Sequence, residues 1–495
     1  MGEAFARPKG EAVDDDKGEF AQSEQALASG RQVFKQHRAV SAAIATSVAD
    51  NVEAVAGSRR NIVVMAAGGT EGLNGTLPRR VTVGDLKPRS YHHFDEPLTR
   101  EDLAQFVVDR DLVAKNAFLP LLGYKKLRRK IDFSVFPPLV AEKERNIRFA
   151  GHQDSAIYSA YSALIGEDYE NVLSVRHLGG AVLAYRGGIG YNVGFAKSLF
   201  DEIRRLKDCT VICFDVSKFF DSLDHKILKA RLLDVLHVCS LPNDIFKIYE
   251  RITKFEYVEI DELKEVIKSY GKNRICSIED FREKVRPLIR RNKFAAGIPQ
   301  GTPVSGLFAN IYMIQFDSAM QSLVDSVGGS YRRYSDDIAV VIRSGDQESL
   351  VKSKVSELLL DQKLSLNGDK TTVSRFSFYD GRIHCSDKRL QYLGFTFDGE
   401  RILIRPESIK AFYARMKVNI RRYVRAASRS GIPSNRLRRR VLVGRFTHWG
   451  DSRNFVQYAY RASRELQSPE IKRQLRNHVT IFDRHWKKMV TLYYN

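Results

Sequence analysis

From about residue 100 onward, the order of apolar and polar positions predicts a mixed α and β protein. Residues 210–214 form a short apolar run that ends on Asp215, which is typical of a buried strand. After Asp224, apolar residues recur at helical spacing and predict a helix over residues 225–236. Residues 331–342 carry apolar residues on both sides of an acidic turn and therefore predict a hairpin.

The segments that follow extend this order. The residues after Asp346 predict a further helix, and residues 391–405 predict a second hairpin that turns at Asp398-Gly399. The order strand, helix, hairpin, helix, strand is that of a ferredoxin-like βαββαβ unit. The fold class predicted for this part of the chain is therefore α+β.

Beyond Arg405 the pattern becomes helical throughout. Apolar residues recur on one face of the first predicted helix, while Lys417, Arg421 and Arg425 form a basic stripe on another face. Gly431-Ile432-Pro433 ends this helix, and two or three more helices are expected to follow. Residues 401–495 are thus predicted to form a basic, all-helical lobe.

The positive charge of the chain is concentrated in this lobe. Of the formal net charge of +21, residues 401–495 supply +18, from 23 Lys and Arg against five acids, which leaves +3 for the other 400 residues. Such a segment is suited to binding nucleic-acid phosphates, because each neutralised phosphate releases condensed counterions. The candidate contacts to nucleic acid are Lys417, Arg421 and Arg425 of the stripe, together with Arg438 and Arg439. The alternative is that these residues form a helical face that contacts only solvent.

Several classes of protein are disfavoured by the composition. No stretch approaches the ~18 consecutive apolar residues of a transmembrane helix, and an acidic run (Asp14, Asp15, Asp16) stands where an export signal would need an apolar core. The five cysteines include no Cys-x-x-Cys pair and indicate neither a disulfide framework nor a zinc site. A cytoplasmic protein without membrane contact is expected. Residues 1–100 form an N-terminal extension, partly flexible and without a predicted function.

Three carboxylates carry the candidate chemistry. Asp215 lies at the end of a predicted strand, and Asp336 and Asp337 lie in the tight turn of a hairpin. Because the first strand lies beside the hairpin in a ferredoxin-like sheet, these acids are expected to converge at one edge. Clustered carboxylates need compensation, and two Mg²⁺ ions about 3.5–4 Å apart would supply it and would promote phosphoryl transfer. The alternative for an isolated Asp-Asp pair is turn chemistry alone.

The segments around these acids resemble a known family. Its ordered motifs are matched by Phe214-Asp215, by Gly297-Ile-Pro-Gln300-Gly301, by Tyr334-Ser335-Asp336-Asp337, by Leu366-Asn-Gly-Asp-Lys370 and by Leu390-Gln-Tyr-Leu393-Gly394. The chain resembles the reverse transcriptases of the bacterial branch that includes group II intron and retron enzymes, over roughly residues 120–405. The resemblance implies a right-hand polymerase, with mixed fingers and a ferredoxin-like palm over residues 101–400 and a helical thumb over residues 401–495.

The resemblance also implies roles for individual residues. Asp215, Asp336 and Asp337 correspond to the catalytic, metal-binding triad, and Leu393 and Gly394 correspond to the primer grip. The residues implied in dNTP binding are Phe220 as steric gate against a ribose 2′-OH, Gln300 beneath the nucleotide, Lys370, and the finger arginines Arg145, Arg148 and Arg186. The alternatives are a core aromatic residue for Phe220 and a surface lysine for Lys370.

The chain departs from the usual pattern in two ways. Ser305-Gly306 stands where Ser-Pro is usual, and about 70 residues separate the first acidic segment from Gly297. These traits resemble the defence-associated and abortive-infection reverse transcriptases, and they imply an antiviral role with untemplated or protein-primed DNA synthesis. Tyr493 and Tyr494, near the C-terminus, are candidate priming hydroxyls; the alternative is that both pack in a terminal helix.

The predicted function is RNA-directed DNA polymerisation with two Mg²⁺ ions, in bacterial antiviral defence. The expected partners are an RNA template, a DNA product and dNTPs; a dedicated non-coding RNA, a second copy of the chain and an accessory defence protein are further candidates. The alternatives are a retron or group II intron enzyme of a mobile element, an RNA-directed RNA polymerase, and a non-catalytic nucleic-acid-binding scaffold. Phe220 disfavours the RNA polymerase, and the intact triad disfavours the scaffold.

Overall fold

A computed structural model of the chain describes residues 89, 91–99, 101–102, 109–132, 139–268, 270–271, 274–343, 345–450 and 453–494. Most of the predicted N-terminal extension, residues 1–100, lies outside the described residues. The predicted central and C-terminal regions lie largely within them.

Strands and helices are interspersed up to residue 404, and the described elements after it are all helices. The strands are β1 (Leu121–Asp132), β2 (Leu139–Phe149), β3 (Cys209–Asp215), β4 (Glu256–Glu259), β5 (Arg290–Arg291), β6 (Ser330–Tyr334), β7 (Asp337–Ile342), β8 (Thr372–Tyr379), β9 (Arg382–Cys385), β10 (Leu390–Tyr392), β11 (Phe395–Phe397) and β12 (Ile402–Ile404). The α-helices are α1 (Arg110–Ala114), α2 (His152–Val175), α3 (Asn192–Leu206), α4 (Phe219–Ser222), α5 (His225–Leu236), α6 (Asn243–Thr253), α7 (Ile260–Val266), α8 (Ile278–Asp280), α9 (Ser305–Tyr312), α10 (Ile314–Ser326), α11 (Glu348–Asp361), α12 (Pro406–Arg429), α13 (Arg439–Phe446), α14 (Phe455–Glu465), α15 (Pro469–Gln474) and α16 (His478–Tyr494). Short 3₁₀ or π turns occupy Phe281–Val285, Arg286–Leu288, Gly345–Gln347, Gly368–Lys370 and Ser434–Arg436.

The central sheet has five antiparallel strands in the order β6-β7-β3-β8-β9. The first four of these have the neighbour relations of a ferredoxin-like βαββαβ unit, in which the predicted strand β3 and the predicted hairpin of β6 and β7 take their expected places. The closing strand of the unit is β8, a segment for which the sequence pattern gave no strand. Residues 391–405 do not join this sheet and instead form most of a separate three-stranded sheet, β10-β11-β12.

β3 occupies the middle of the central sheet because its residues can be buried on both faces. Ile212 and Phe214 join a core formed with helices α2, α5, α9 and α10. Val211 faces the opposite core, which includes α3 and the C-terminal helices. A short run of β-branched and aromatic residues without charges is suited to this position. Asp215, the first charged residue of the strand, therefore lies where the strand leaves the core.

A second sheet, which we call the outer sheet, has the order β2-β1-β4-β5. β1 pairs antiparallel with β2 and parallel with β4, and β4 pairs with β5. The two short strands β4 and β5 come from the segment between Asp221 and Gly297 that is longer than a minimal palm needs. The additional residues between Asp221 and Gly297 therefore contribute two strands to the outer sheet.

Residues 406–494 form what we call the C-terminal lobe. Pro406 begins α12, a position where proline is favoured because no backbone N–H is needed. Phe412, Met416 and Ile420 are buried along one face of α12, which confirms the predicted amphipathic helix. The lobe is all-helical in its described residues, as predicted. Among all the described residues, no helix is long and apolar enough to cross a membrane.

Candidate active site and nucleic-acid interface

The three predicted carboxylates lie at one edge of the central sheet. Asp215 ends β3 and Asp337 begins β7, and the two residues are direct partners in the antiparallel register. The backbone N–H of Val216 donates to the carbonyl oxygen of Asp336 at 3.2 Å, which places the third acid beside the same strand end. The sheet topology therefore brings together residues that are more than 100 positions apart in the sequence.

A buried ion pair stabilises the acidic turn between β6 and β7. Ser335 has a φ of 62°, an uncommon value for a residue with a side chain. Arg333, with no solvent exposure, donates to the Ser335 carbonyl oxygen at 3.3 Å and to both carboxylate oxygens of Asp317 at 2.6–2.7 Å. Burial alone would lower the pKa of Arg333, but Asp317 outweighs it and raises that pKa. The turn is thus held by a charge pair that is fully formed.

The acidic edge carries more negative charge than its surroundings neutralise. The pKa of the Asp337 carboxyl is raised to about 6, first by partial withdrawal from water and then by the charges of Asp336 and Asp215. The Lys370 ammonium contacts the Asp215 carboxylate directly. The turn that carries Lys370 is held at the strand end, because the N–H of Asn367 donates to the Asp215 carbonyl oxygen at 2.8 Å. Lys370 therefore supplies part of the compensation.

The residues at this edge are suited in chemistry to a divalent cation. Carboxylate oxygens are the donors that Mg²⁺ prefers, and repulsion among the three acids is the condition that a bound cation relieves. As the side chains stand, the described residues contain no group of three or more His, Cys, Asp or Glu side chains positioned to hold a metal ion. Asp215 is instead paired with Lys370, so this carboxylate would exchange its partner on metal binding.

A cavity of about 630 Å³ lies beside the acidic edge. It brings together most of the predicted nucleotide-binding residues, which come from four separate parts of the chain. The predicted residues that line it are Asp215, Asp336, Phe220, Gln300, Lys370 and Arg145. Asp337 lines a neighbouring cavity on the other side of the turn.

Gln300 is placed by backbone contacts with β2. The N–H of Arg148 donates to the Gln300 carbonyl oxygen at 2.8 Å, and Ile147 and Gln300 form an isolated parallel bridge. A Cβ on Gly301 would lie 2.6 Å from the Arg148 carbonyl oxygen, and Gly301 has a φ of 125°, so no larger residue fits this position. The glycine of the Pro-Gln-Gly motif therefore allows the outer sheet to approach the cavity.

Two of the predicted triphosphate-binding arginines do not line this cavity. Arg186 is 6% exposed, and its guanidinium donates to Glu170 at 2.6–2.8 Å and to two backbone carbonyl oxygens. Arg148 lies 3.9 Å from the centroid of the Tyr257 ring and 4.0 Å from Glu259. Both guanidinium groups already have partners within the fold. Of the three predicted arginines, the geometry places Arg145 in the cavity.

The cavity also contains residues that the sequence did not indicate. Lys218 lines it three residues after Asp215, with a φ of 44°. Asp221 adds a further carboxyl group to the cavity. Burial raises the pKa of this carboxyl, although the charges of Arg148 and Lys218 act to lower it. Tyr185 is half exposed beside Phe220. A lysine and an aspartate so close to the motif were visible in the sequence, but the place of Tyr185 depends on long-range contacts.

The predicted primer grip lies on the other side of the acidic turn. Leu393 and Gly394 share a cavity of about 350 Å³ with Asp337 and Arg405. The side-chain amide of Asn192, also in this cavity, donates to the Leu393 carbonyl oxygen at 3.3 Å and to the Tyr458 hydroxyl of the C-terminal lobe at 2.9 Å. This amide connects the Leu393-Gly394 turn to the lobe.

The candidate nucleic-acid contacts of the lobe differ in how far they are already paired. Lys417, Arg425 and Arg438 are exposed. Arg421 is also exposed, and its Nε donates to the Tyr493 hydroxyl at 3.2 Å. Arg439 instead contacts Asp483 and stacks over the Phe482 ring at 5.4 Å. Arg439 is thus partly engaged within the lobe.

The two candidate priming tyrosines have different surroundings. The hydrogen bond from Arg421 lowers the pKa of Tyr493, and the charges of Arg421, Arg425 and Arg429 add to the effect. The Tyr494 hydroxyl donates to the Ile432 carbonyl oxygen at 2.7 Å. Tyr493 is therefore the one whose hydroxyl lies among cations.

The lobe also contains a basic cavity of about 560 Å³ that the sequence did not indicate. Arg453, Arg461, Arg464 and Lys472 line it, and none of its described lining residues is acidic. This cavity adds cations to the lobe at α14 and α15, away from the predicted stripe on α12.

Comparison with known proteins finds a family match in the central part of the chain. Residues 191–397 match the family model "Reverse transcriptase (RNA-dependent DNA polymerase)". The chain therefore carries a reverse transcriptase domain over this segment, which contains the acidic edge, Phe220, Gln300 and Lys370. The match leaves Arg145, Arg148 and Arg186 outside it, together with the C-terminal lobe.

Solved structures that the chain matches include telomerases. The apo telomerase from Candida tropicalis truncated from its C-terminal domain is 13% identical, with a TM-score of 0.38, over 61% of this chain and 59% of that one. The telomerase from Candida albicans in complex with a TWJ fragment of telomeric RNA is 12% identical, with a TM-score of 0.38, over 79% of this chain and 66% of that one. The chain thus spans about 59% to 66% of the length of these relatives. No curated protein matches the chain.

Proposed function

We propose that the chain is an RNA-directed DNA polymerase that adds deoxynucleotides to a primer. The observation that carries this proposal is the arrangement of Asp215 and Asp336 in one cavity with Phe220 and Gln300, and of Asp337 on the other side of the same turn. All five residues belong to the segment that matches the reverse transcriptase model.

In the proposed reaction, the 3′-oxygen of a primer attacks the α-phosphorus of a dNTP. A new P–O bond forms, the bond between the α-phosphorus and the bridging oxygen to the β-phosphate breaks, and pyrophosphate leaves. Two Mg²⁺ ions bound by Asp215, Asp336 and Asp337 would stabilise the charge on the attacking and leaving oxygens. The buried Arg333 holds the acidic turn in place, which fixes two of the three carboxylates before substrate arrives.

The cations of the large cavity have a natural role with the triphosphate. Arg145, Lys218 and Lys370 all line it, beside the carboxylates of Glu144, Asp215, Asp221 and Asp336. Once divalent cations neutralise these carboxylates, the three basic side chains would favour a polyanionic ligand. Lys370, which contacts Asp215, would be available to a phosphate oxygen if a divalent cation took its place at that carboxylate. Phe220 closes the same cavity with an aromatic ring, which would exclude a ribose 2′-OH and select deoxynucleotides.

The cavity that contains Asp337 is proposed to receive the primer end. Leu393 and Gly394 line it as the primer grip, and Arg405 adds a cation there. The basic C-terminal lobe continues from Arg405 and offers Lys417, Arg421 and Arg425 to the backbone of the nucleic acid. The central sheet then corresponds to the palm, the outer sheet to the fingers and the lobe to the thumb.

A role in bacterial antiviral defence is the finer part of the proposal. It rests on the resemblance to defence-associated reverse transcriptases and on Ser305-Gly306 in place of Ser-Pro. Protein-primed or untemplated synthesis belongs to the same proposal, with Tyr493 as the favoured priming residue because cations lower the pKa of its hydroxyl. A phage challenge of cells that carry the wild-type chain or the Asp336→Asn variant tests this role. Equal plating efficiency of phage on both strains would contradict it.

The biochemical proposal is tested by incubating the purified chain and its retained nucleic acid with Mg²⁺ and dNTPs, and by sequencing the product. Wild-type protein is expected to make DNA and Asp336→Asn is expected to make none. A heterogeneous cDNA would identify an RNA template, whereas a homopolymer attached to protein would indicate self-primed synthesis. If neither protein forms a product with any template or primer, the scaffold alternative gains support. Preferential use of rNTPs would instead favour an RNA polymerase.

A further inference from the structure

Tyr185 lies in the large cavity but has no role in the function proposed above. Its ring is 52% exposed and forms an edge contact with Phe220, with ring centroids 6.3 Å apart and planes at 80°. Edge-to-face geometry is a favoured arrangement for two aromatic rings. The residue proposed as steric gate therefore has a second aromatic residue against it, on the side that opens into the cavity.

The backbone of Tyr185 is held in an unfavourable conformation. Its φ is 60°, in the left-handed region that residues with side chains seldom occupy. Such conformations persist when surrounding contacts over-determine them, and they are concentrated at functional sites. Here the Tyr185 hydroxyl lies 2.9 Å from the Ser335 hydroxyl in the acidic turn. The side chain thus spans from the Phe220 ring to the turn that carries Asp336.

The position of the ring depends on a glycine from a distant part of the chain. A Cβ placed on Gly306 would lie 2.6 Å from both Cγ and Cδ1 of Tyr185 and 3.1 Å from its Cβ. These are atoms near the Tyr185 backbone, which cannot move away by a simple rotation of the side chain. Gly306 itself does not line the cavity. The absence of a side chain at residue 306 is therefore what makes room for the tyrosine.

We propose that Tyr185 is a positioning and specificity-determining residue, which holds the Phe220 ring at the angle that excludes a ribose 2′-OH and links that ring to the catalytic turn through Ser335. The proposal rests on the proposed polymerase function. Without the Tyr185 ring, Phe220 can turn into the vacated space and admit a ribonucleotide. Without the hydroxyl alone, Phe220 keeps its position and the turn loses one hydrogen bond.

The test is a double-mutant cycle between residues 185 and 306, with kcat/KM measured for dATP and for ATP on the same template and primer. Tyr185→Gly suits the left-handed backbone and removes the ring; it is expected to lower the dATP/ATP discrimination by about tenfold, the equivalent of one edge-to-face contact. Gly306→Ala is expected to lower the discrimination to a similar extent, because it displaces the ring. The double variant is expected to lose no more than Tyr185→Gly alone.

Two further variants separate positioning from general damage. Tyr185→Phe keeps the ring and is expected to retain the wild-type discrimination, with a lower kcat and an unchanged KM. Gly194→Ala adds a Cβ that meets nothing within 4 Å and is the control for a glycine substitution in a helix. The ratio of dATP to ATP affinity, measured with a primer that ends in a dideoxynucleotide, reports discrimination when no bond can form.

The possible results separate the two proposals. If the wild-type chain makes no DNA with any template or primer and binds dATP and ATP equally, the polymerase proposal fails first. If the wild-type chain makes DNA but Tyr185→Gly keeps the full discrimination, the role of Tyr185 is overturned and the polymerase proposal stands. If Gly306→Ala lowers the melting temperature but not the dATP/ATP discrimination, the proposed coupling between residues 185 and 306 is overturned. The same holds if the double variant loses as much discrimination as the two single variants together.

Discussion

The acidic edge of the central sheet and the C-terminal lobe both carry charge that the protein itself does not neutralise, but of opposite sign. At the edge, burial and then the charges of Asp336 and Asp215 raise the pKa of Asp337, and the Lys370 ammonium contacts Asp215 directly. In the lobe, 23 Lys and Arg stand against five acids over residues 401–495. One region is suited to cations and the other to a polyanion.

The two regions differ in how their charges are positioned. The acidic edge is held by strand register and by the fully buried pair of Arg333 and Asp317. In the lobe, the stripe cations Lys417, Arg421 and Arg425 lie on an exposed helix face, where long side chains can adapt. A site that must orient reacting atoms needs fixed groups, whereas binding to a phosphate backbone depends mainly on the amount of charge. The comparison suggests chemistry at the edge and affinity in the lobe.

The largest effect is expected from removing one charge at the acidic edge. Asp215→Asn is expected to lower the rate of DNA synthesis about 1,000-fold, because bound cations contribute several kcal/mol to transition-state stabilisation. Asp483→Asn in the lobe, the same chemical change in an exposed ion pair, is expected to leave the rate within about twofold. Primer extension under saturating dNTP measures both. Comparable losses would remove the distinction between the regions.

The next effect concerns the stability of the two ion pairs. Arg333→Met leaves the buried Asp317 carboxylate without its opposite charge, with only the Tyr331 hydroxyl still donating to it, and is expected to lower the free energy of unfolding by about 3–5 kcal/mol. Arg439→Met in the half-exposed pair with Asp483 is expected to cost about 0–1 kcal/mol. Urea denaturation followed by circular dichroism measures the difference. A small cost at Arg333 would mean that the acidic turn is held by other contacts.

A smaller effect is expected on nucleic-acid binding. The double variant Lys417→Gln/Arg425→Gln is expected to weaken binding and to reduce the slope of log affinity against log salt concentration by roughly 0.7–0.9 for each phosphate that the variant no longer neutralises. The control Lys264→Gln/Lys284→Gln removes the same number of charges outside the lobe. Fluorescence anisotropy at several salt concentrations measures the slopes. Equal slopes for both double variants would show that the lobe does not bind the backbone through this stripe.

The smallest effect is a shift in the titration of one phenol. Arg421, Arg425 and Arg429 favour the phenolate form of Tyr493 and so lower its pKa. Arg421→Gln is expected to move the midpoint of the Tyr493 titration to higher pH, because the variant removes one cation and its hydrogen bond. NMR of labelled tyrosine detects the midpoint, and Tyr493→Phe identifies the signal. An unchanged midpoint would mean that Arg421 does not stabilise the phenolate.

The sequence predicted those features that depend on local patterns. The run that ends on Asp215, the hairpin around Asp336 and the amphipathic helix α12 were predicted because apolar periodicity is a local property. The convergence of the three acids followed from the expected strand order. The closing strand β8 was missed because its apolar residues do not mark its buried face: Ser374 and Phe376 are buried, whereas Phe378 and Tyr379 are exposed near the sheet edge.

The roles of single charged residues were harder to predict, because they depend on partners that only the fold brings close. Arg186 resembled a triphosphate-binding residue, but Glu170 already occupies its guanidinium. The sequence motif offered Arg145 and Arg148 equally as triphosphate-binding residues. In the structure, the Tyr257 ring of β4 stacks on the Arg148 guanidinium. The sequence offered three arginines for the same role and could not tell which of them lines the cavity.

The side-chain amide of Asn192 hydrogen-bonds to two separate parts of the molecule. It has two N–H groups, and it donates to Leu393 on one side and to Tyr458 of the lobe on the other. Any swing of α14 away from the Leu393-Gly394 turn breaks at least one of these bonds, at a net cost of only about 1 kcal/mol. Asn192 therefore adds a small polar contribution to the position of the lobe, beside the much larger contribution of the hydrophobic core that α3 shares with the C-terminal helices.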